Sequence, residues 1–120
     1  MKQRVLLLAM LIGLTGLLWA QRNVVTVVVT IPTAGTRVKV SAASLLVRSW
    51  VACSAAANVG LVFMGDGAVS ATTGIGLNPE DCIDFGPVGN GSSSRDFYDL
   101  SQFSVDTATN SNTVRILYVR

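Results

Sequence analysis

Two kinds of hydrophobic pattern divide the chain. Residues 5–20 are almost all apolar, whereas the sequence from Asn23 onward consists of short apolar or alternating runs separated by turn residues. A long apolar run predicts a helix that is hydrophobic on all sides, and short alternating runs predict strands with one buried face. The pattern therefore predicts an N-terminal hydrophobic helix at residues 1–22 and a β-domain at residues 23–120.

The β-domain begins with residues 24–31, which are almost purely β-branched, a composition that favours strands. Pro32 to Gly35 is a predicted turn, and the alternating residues 36–40 then predict a hairpin with residues 24–31. The pattern predicts an all-β fold, a small antiparallel β-sandwich or jelly-roll-like barrel of about seven to eight short strands. The later predicted strands lie at residues 45–53, 61–64, 82–85, 97–105 and 114–119, and residues 68–76 are expected to form a strand and a loop.

Large apolar side chains at alternating strand positions predict the core. Aromatic residues dominate the energy of burial, and strand alternation turns every second side chain inward. The residues expected in the core or at its border are Trp50, Val62, Phe85, Phe103, Ile116 and Tyr118.

The N-terminal segment has two interpretations. A basic head, an apolar run and Ala20 are typical of a signal peptide, although Leu18 is large where small residues are preferred. Trp19 and Arg22 at the end of the run suit a membrane interface. We expect a helix that is retained in a lipid membrane or against neighbouring subunits, with a cleaved signal peptide as the alternative.

The charge belongs mainly to the N-terminal segment. Nine Lys and Arg residues stand against seven acidic residues, a net charge of +2. Lys2, Arg4 and Arg22 flank the hydrophobic segment, which leaves six basic against seven acidic residues in residues 23–120. Because such a domain has no basic stripe to neutralise phosphates, we expect no nucleic-acid partner.

The sequence contains no histidine, which removes the commonest general base and metal ligand. A Ser–His–Asp or Cys–His device is therefore impossible within the chain. The carboxylates near turns do not have the spacing of a calcium loop. We expect no catalytic residue, metal or cofactor, and therefore no enzyme. The carboxylates considered are Glu80, Asp81, Asp84, Asp96 and Asp99.

Cys53 and Cys82 are the only two cysteines in the sequence. Without histidine or further cysteines they do not form a zinc site. They form either one disulfide, in an oxidising compartment, or two small buried hydrophobic residues. The sequence leaves both alternatives open.

Residues 47–65 carry a strand with Arg48, an Asn58-x-Gly60 turn and a short hydrophobic strand that ends in Gly65. This order resembles small β-sandwich virion proteins of bacteriophages, of the capsid decoration, vertex or fibre type. The resemblance covers roughly residues 45–120 and depends on turn glycines and apolar spacing. It continues in residues 69–80, 99–105 and 114–119.

The chain departs from this family at Gly76, where proline is frequent, and at Asp81, where glycine is usual. Residues 86–95 form a longer insertion, and residues 1–44 are not covered by the resemblance.

The resemblance implies a non-enzymatic virion protein that assembles through contacts with coat or vertex proteins and with copies of itself. Combined with the hydrophobic helix, it predicts that the protein is located in a virion that contains a lipid membrane, with residues 1–22 in that membrane. The alternative is a β-sandwich protein of the bacterial cell envelope, exported or anchored by the same segment, that binds a partner or a glycan.

Overall fold

The computed structural model describes residues 23–86 and 97–120, and in these residues the protein is all-β with antiparallel sheets. This confirms the all-β, antiparallel part of the prediction. The predicted helix at residues 1–22 lies outside the described residues. Within them, no helix has the length and hydropathy needed to cross a membrane.

The strands are β1 (Val24–Ile31), β2 (Val38–Lys39), β3 (Leu46–Val47), β4 (Ser49–Ser54), β5 (Val62–Gly65), β6 (Ile75–Leu77), β7 (Cys82–Phe85), β8 (Tyr98–Asp99), β9 (Ser104–Thr107) and β10 (Asn112–Val119).

Ten strands occupy the described residues, more than the predicted seven or eight, because two long predicted runs are interrupted. The run at residues 45–53 breaks at Arg48 into β3 and β4. The run at residues 97–105 is broken by a 3₁₀ helix, Leu100–Gln102, into β8 and β9. Strands β3 and β8 pair with each other as a separate small sheet. An alternating pattern continues through such a change of partner and does not reveal it.

The two larger sheets have four strands each. The first sheet has the order β1-β10-β4-β7, and the second sheet has the order β2-β9-β5-β6. The predicted hairpin between residues 24–31 and 36–40 is wrong, because β1 pairs with β10 and β2 pairs with β9. The turn after Pro32 carries the chain from the first sheet to the second. There the N–H of Gly35, at a φ of 72°, donates to the carbonyl of Thr107 in β9 at 2.8 Å.

One hydrophobic core is shared by both four-stranded sheets. On β4 and β10 every second residue is buried, as strand alternation requires. The predicted core assignment is confirmed, since four of the six residues are buried and Phe85 and Phe103 pack against them partly buried. The four buried residues are Trp50, Val62, Ile116 and Tyr118.

Candidate interaction surface

The outer face of the first sheet, on the side away from the core, carries a group of apolar side chains. Strand register places Val24 opposite Val119 and Leu117 opposite Val51, while Val28 lies opposite Arg115 and diagonal to Leu117. Val24 and Val28 are 64% and 57% exposed, and the other three apolar residues are partly buried. We call this group the outer apolar face and define it as Val24, Val28, Val51, Leu117 and Val119.

An open depression of about 350 Å³ lies at one end of this face. Its lining includes Val24, Leu117 and Val119, and Asp84 is the only carboxylate among the described lining residues. Catalytic pockets bring several polar or titratable groups together. This lining is mainly aliphatic and aromatic, so it suits apolar contact with another surface better than chemistry on a substrate.

Cys53 and Cys82 form a disulfide across β4 and β7, where they are register partners with Cα atoms 4.0 Å apart. Cys82 is exposed and Cys53 is partly exposed, so the interpretation as two buried hydrophobic residues is wrong. The bond lies on the outer side of the first sheet and links the edge strand β7 to the neighbouring interior strand β4.

The candidate carboxylates do not converge. Asp81 accepts hydrogen bonds from the N–H and the Nδ2 of Asn78, both at 2.9 Å, and thereby closes the turn before β7. Glu80 takes a positive φ of 72° in the same turn, and Asp84 is exposed on the outer side of β7. Within residues 23–86 and 97–120, no group of three His, Cys, Asp or Glu side chains is placed to hold a metal. Asp96 lies outside the described residues.

Asp99 is the carboxylate with the most hydrogen bonds among those named. It accepts from the hydroxyl of Ser44 at 2.7 Å and from the N–H groups of Leu45 and Ser101, both at 3.0 Å. These donors hold the pKa of Asp99 far below its usual range, the Ser44 hydroxyl contributing most. The carboxylate caps the 3₁₀ helix and joins it to the chain just before β3.

Two asparagines that sequence reasoning did not single out as structural residues connect the loop at residues 55–61 to β10. The Nδ2 of Asn58 donates to the carbonyl of Thr113 at 2.7 Å, and the N–H of Thr113 donates to Asn58 Oδ1 at 2.8 Å. Asn112 makes the same reciprocal pair with the N–H and carbonyl of Val59, both at 3.0 Å. A side-chain amide has the donor and acceptor of a peptide group, so it can replace a strand partner.

Neither asparagine gave a distinctive signal in the sequence. Asn58 is part of the Asn-x-Gly turn that contributes to the resemblance. Asn112 lies in a polar stretch whose composition predicts a turn. Only their burial, at 8% and 3% exposure, separates them from ordinary turn residues.

Comparison of the chain with protein-family models, with curated proteins and with solved structures finds no match. The resemblance to bacteriophage virion proteins therefore stays a prediction.

Proposed function

We propose that this chain is a non-enzymatic structural protein of a bacteriophage particle, which assembles through protein–protein contacts in or on the capsid. The outer apolar face carries the proposal. Monomeric soluble proteins rarely leave large contiguous apolar patches exposed, and such patches mark interaction sites. Coat or vertex proteins, or further copies of the chain, would cover Val24, Val28 and Leu117 in the assembled particle.

The surroundings of the carboxylates support a role without catalysis. Asp81 closes a turn through Oδ2, and Asp99 uses its two carboxylate oxygens to cap a helix and to accept a hydrogen bond from Ser44, so each of these carboxylates has a role in the fold. A general acid or base must instead be free to exchange a proton with a substrate.

The shared core supports a β-sandwich as the architecture. Buried side chains of the first sheet, such as Ile116, and of the second sheet, such as Met64 and Val105, belong to one cluster. Two sheets that bury their inner faces against each other form a sandwich. In decoration, vertex or fibre positions, such a domain offers its outer sheet surfaces to neighbours.

In this proposal residues 1–22 anchor the chain in a membrane of the particle. The apolar residues 5–20 extend about 24 Å as a helix at about 1.5 Å per residue, against a hydrocarbon core of about 30 Å. A shortfall of this size is tolerated by local thinning of the bilayer or by flanking residues at the interface, here Trp19 and Arg22.

The disulfide favours a second candidate function. Disulfides persist in oxidising compartments and are rare in the reducing cytosol. The bond between Cys53 and Cys82 therefore favours an exported or membrane-anchored protein of the bacterial cell envelope that binds a partner or a glycan.

Mass spectrometry of purified particles and of host envelope fractions separates the two candidates. The intact chain in stoichiometric amounts in particles supports the virion role. A chain that begins at Gln21, found in the envelope fraction and missing from particles, supports the envelope protein and replaces the anchor by a signal peptide.

A matched pair of variants tests the outer apolar face itself. Leu117→Ser replaces an apolar residue of the face, and Arg115→Ser changes a polar neighbour on the same side of β10. We expect Leu117→Ser to reduce incorporation into particles, with Arg115→Ser incorporated at the wild-type level and both variants folded. Wild-type incorporation of folded Leu117→Ser would remove the face from the proposal.

A further inference from the structure

Strand β1 lies at one edge of the first sheet, and its backbone groups divide into two sets. The N–H of Ala55 donates to the carbonyl of Thr113 at 3.1 Å, so the odd-numbered residues of β10 face β4. Because backbone groups alternate in direction along a strand, the even-numbered residues of β10 face β1. The register of Val25 with Tyr118 and of Val29 with Val114 then assigns the odd-numbered residues of β1 to the β10 ladder.

The even-numbered residues of β1 therefore direct their N–H and C=O groups away from the sheet. Within residues 23–86 and 97–120, no hydrogen-bond partner is found for these backbone groups. We call them the β1 edge residues. They are Val24, Thr26, Val28 and Thr30.

This edge lacks the protection that the other edge strands have. Natural proteins protect sheet edges with short strands, charged side chains or proline. Strand β2 has two residues and includes Lys39, β6 has three residues, and β7 has four residues and includes Asp84. In contrast, β1 has eight residues, all of them Val, Thr or Ile. A long uncharged edge of β-branched residues is a template for a further strand.

We propose that β1 pairs antiparallel with β1 of a second copy of the chain, about a twofold axis at Val27. This inference rests on the proposed role as an assembly protein and names the edge and the partner. Pro32 has no N–H to donate, so a register that extends the pairing to it loses a hydrogen bond. Placing Val24 opposite Thr30 and Thr26 opposite Val28 gives every β1 edge residue a partner within the set.

The exposure of Val27 supports an axis at this residue. Its side chain points to the core side of β1, yet it is 37% exposed, whereas Val29 and Ile31 on the same side are 7% and 0% exposed. In the proposed dimer Val27 meets its own copy in a non-hydrogen-bonded pair, with Cα atoms about 4.5 Å apart. This contact covers Val27, the least buried of the β1 side chains that point to the core side. The strand carries no charge, so no like charges oppose each other.

Cysteine cross-linking of the full-length chain in detergent tests this register. Val27→Cys should form a covalent dimer on oxidation, because its Cα–Cα distance is within disulfide range. Val24→Cys is the exposed control. In this register Val24 lies opposite Thr30 of the second copy, so the two cysteines at position 24 are about 20 Å apart at about 3.3 Å per residue. A monomeric Val27→Cys chain, or equal cross-linking of both variants, would overturn the proposal. A cross-link from Val27→Cys to a different virion protein would equally overturn it.

Proline substitution tests the edge without cross-linking. Val28→Pro removes an N–H that the β1–β10 ladder does not use, a position where edge strands accept proline. We expect the melting temperature to stay near the wild-type value and dimerisation to weaken about tenfold or more by sedimentation. Val29→Pro removes an N–H that faces β10 and should lower the melting temperature. A folded Val28→Pro chain that dimerises like the wild type contradicts the inference.

These results separate the two proposals. Absence of the chain from purified particles removes the virion role and leaves the cross-link at Val27 unaffected. Failure of the cross-link removes pairing at β1 and leaves the composition of the particle unaffected.

Discussion

The two ends of the core are built differently. At one end Trp50 stacks on Phe85 with ring centroids 4.1 Å apart and an interplanar angle of 6°, and Phe103 meets Trp50 edge-on at 4.7 Å. At the other end of β4 and β10 several of the buried residues are polar and hydrogen-bonded to one another or to the backbone. They are Ser54, Asn58, Thr107 and Asn112.

The difference shows how burial and geometry contribute separately to the fold. Aromatic burial is largely non-directional and scales with area. The aromatic end even contains the Nε1 of Trp50, a buried atom that has no hydrogen-bond partner among the described residues. The polar end is directional, because a buried amide stabilises the fold only where its partners are correctly placed. The aromatic end thus supplies stability, and the polar end determines where the loop at residues 55–61 lies.

The largest expected effect is at the aromatic end. Trp50→Ala removes a side chain that is 1% exposed and should lower the free energy of unfolding by about 3–5 kcal/mol, measured by urea unfolding. Trp50→Phe keeps a ring against Phe85 and removes the unpaired N–H, so it should cost clearly less. Val51→Ala, on the outer side of the same strand, is the matched control. Equal losses for Trp50→Ala and Val51→Ala would contradict the assigned faces of β4.

The disulfide should have the next largest effect. It lies beside the polar end, since Cys53 precedes Ser54. Replacing both cysteines by alanine should lower the free energy of unfolding by about 2–4 kcal/mol, because the closed loop restricts the unfolded chain. Hydrogen exchange should show the greatest loss of protection in β7 and in the turn before it. Unchanged exchange there, with loss confined to the aromatic end, would show that the bond does not stabilise the polar end.

Asn112→Ala tests the polar end directly. It removes two hydrogen bonds to the backbone of Val59 and one to the hydroxyl of buried Thr107, and a typical intramolecular hydrogen bond contributes about 0.5–1.5 kcal/mol. Asn110→Ala is the control, because the side chain of Asn110 makes one hydrogen bond among the described residues, an exposed one accepted from the N–H of Ala34. We expect Asn112→Ala to destabilise more than Asn110→Ala in thermal unfolding. The reverse order would show that the polar end contributes little.

The smallest effect is the pH dependence from Asp99, which lies near the aromatic end. Its pKa is depressed in the folded state, so its stabilising contribution is present above the ordinary aspartate pKa of about 3.9 and is lost as the pH falls below that value. Asp99→Asn should flatten the fall of the melting temperature between about pH 5 and pH 2. An acid limb identical to that of the wild type would mean that other groups dominate it.

Local pattern predicts the composition of the core better than the partners of its strands. Trp50, Val62 and Ile116 were found from alternation because a strand needs one apolar face whichever strand lies beside it. The hairpin predicted after β1 failed, because Pro32 and Gly35 indicate a turn and contain no information about the sheet to which the chain returns. The partner of β1 is β10, far away in sequence, and that pairing depends on the packing of the whole core.

The all-β class, several core residues and the absence of histidine chemistry follow from the amino-acid sequence, because they depend on composition and a period of two. Tertiary packing sets which strands are neighbours, places Cys53 opposite Cys82, and makes Asn58 and Asn112 strand partners. It also leaves β1 as an edge strand that none of the described residues covers. Each of these depends on the distance between residues remote in sequence, which no local pattern contains.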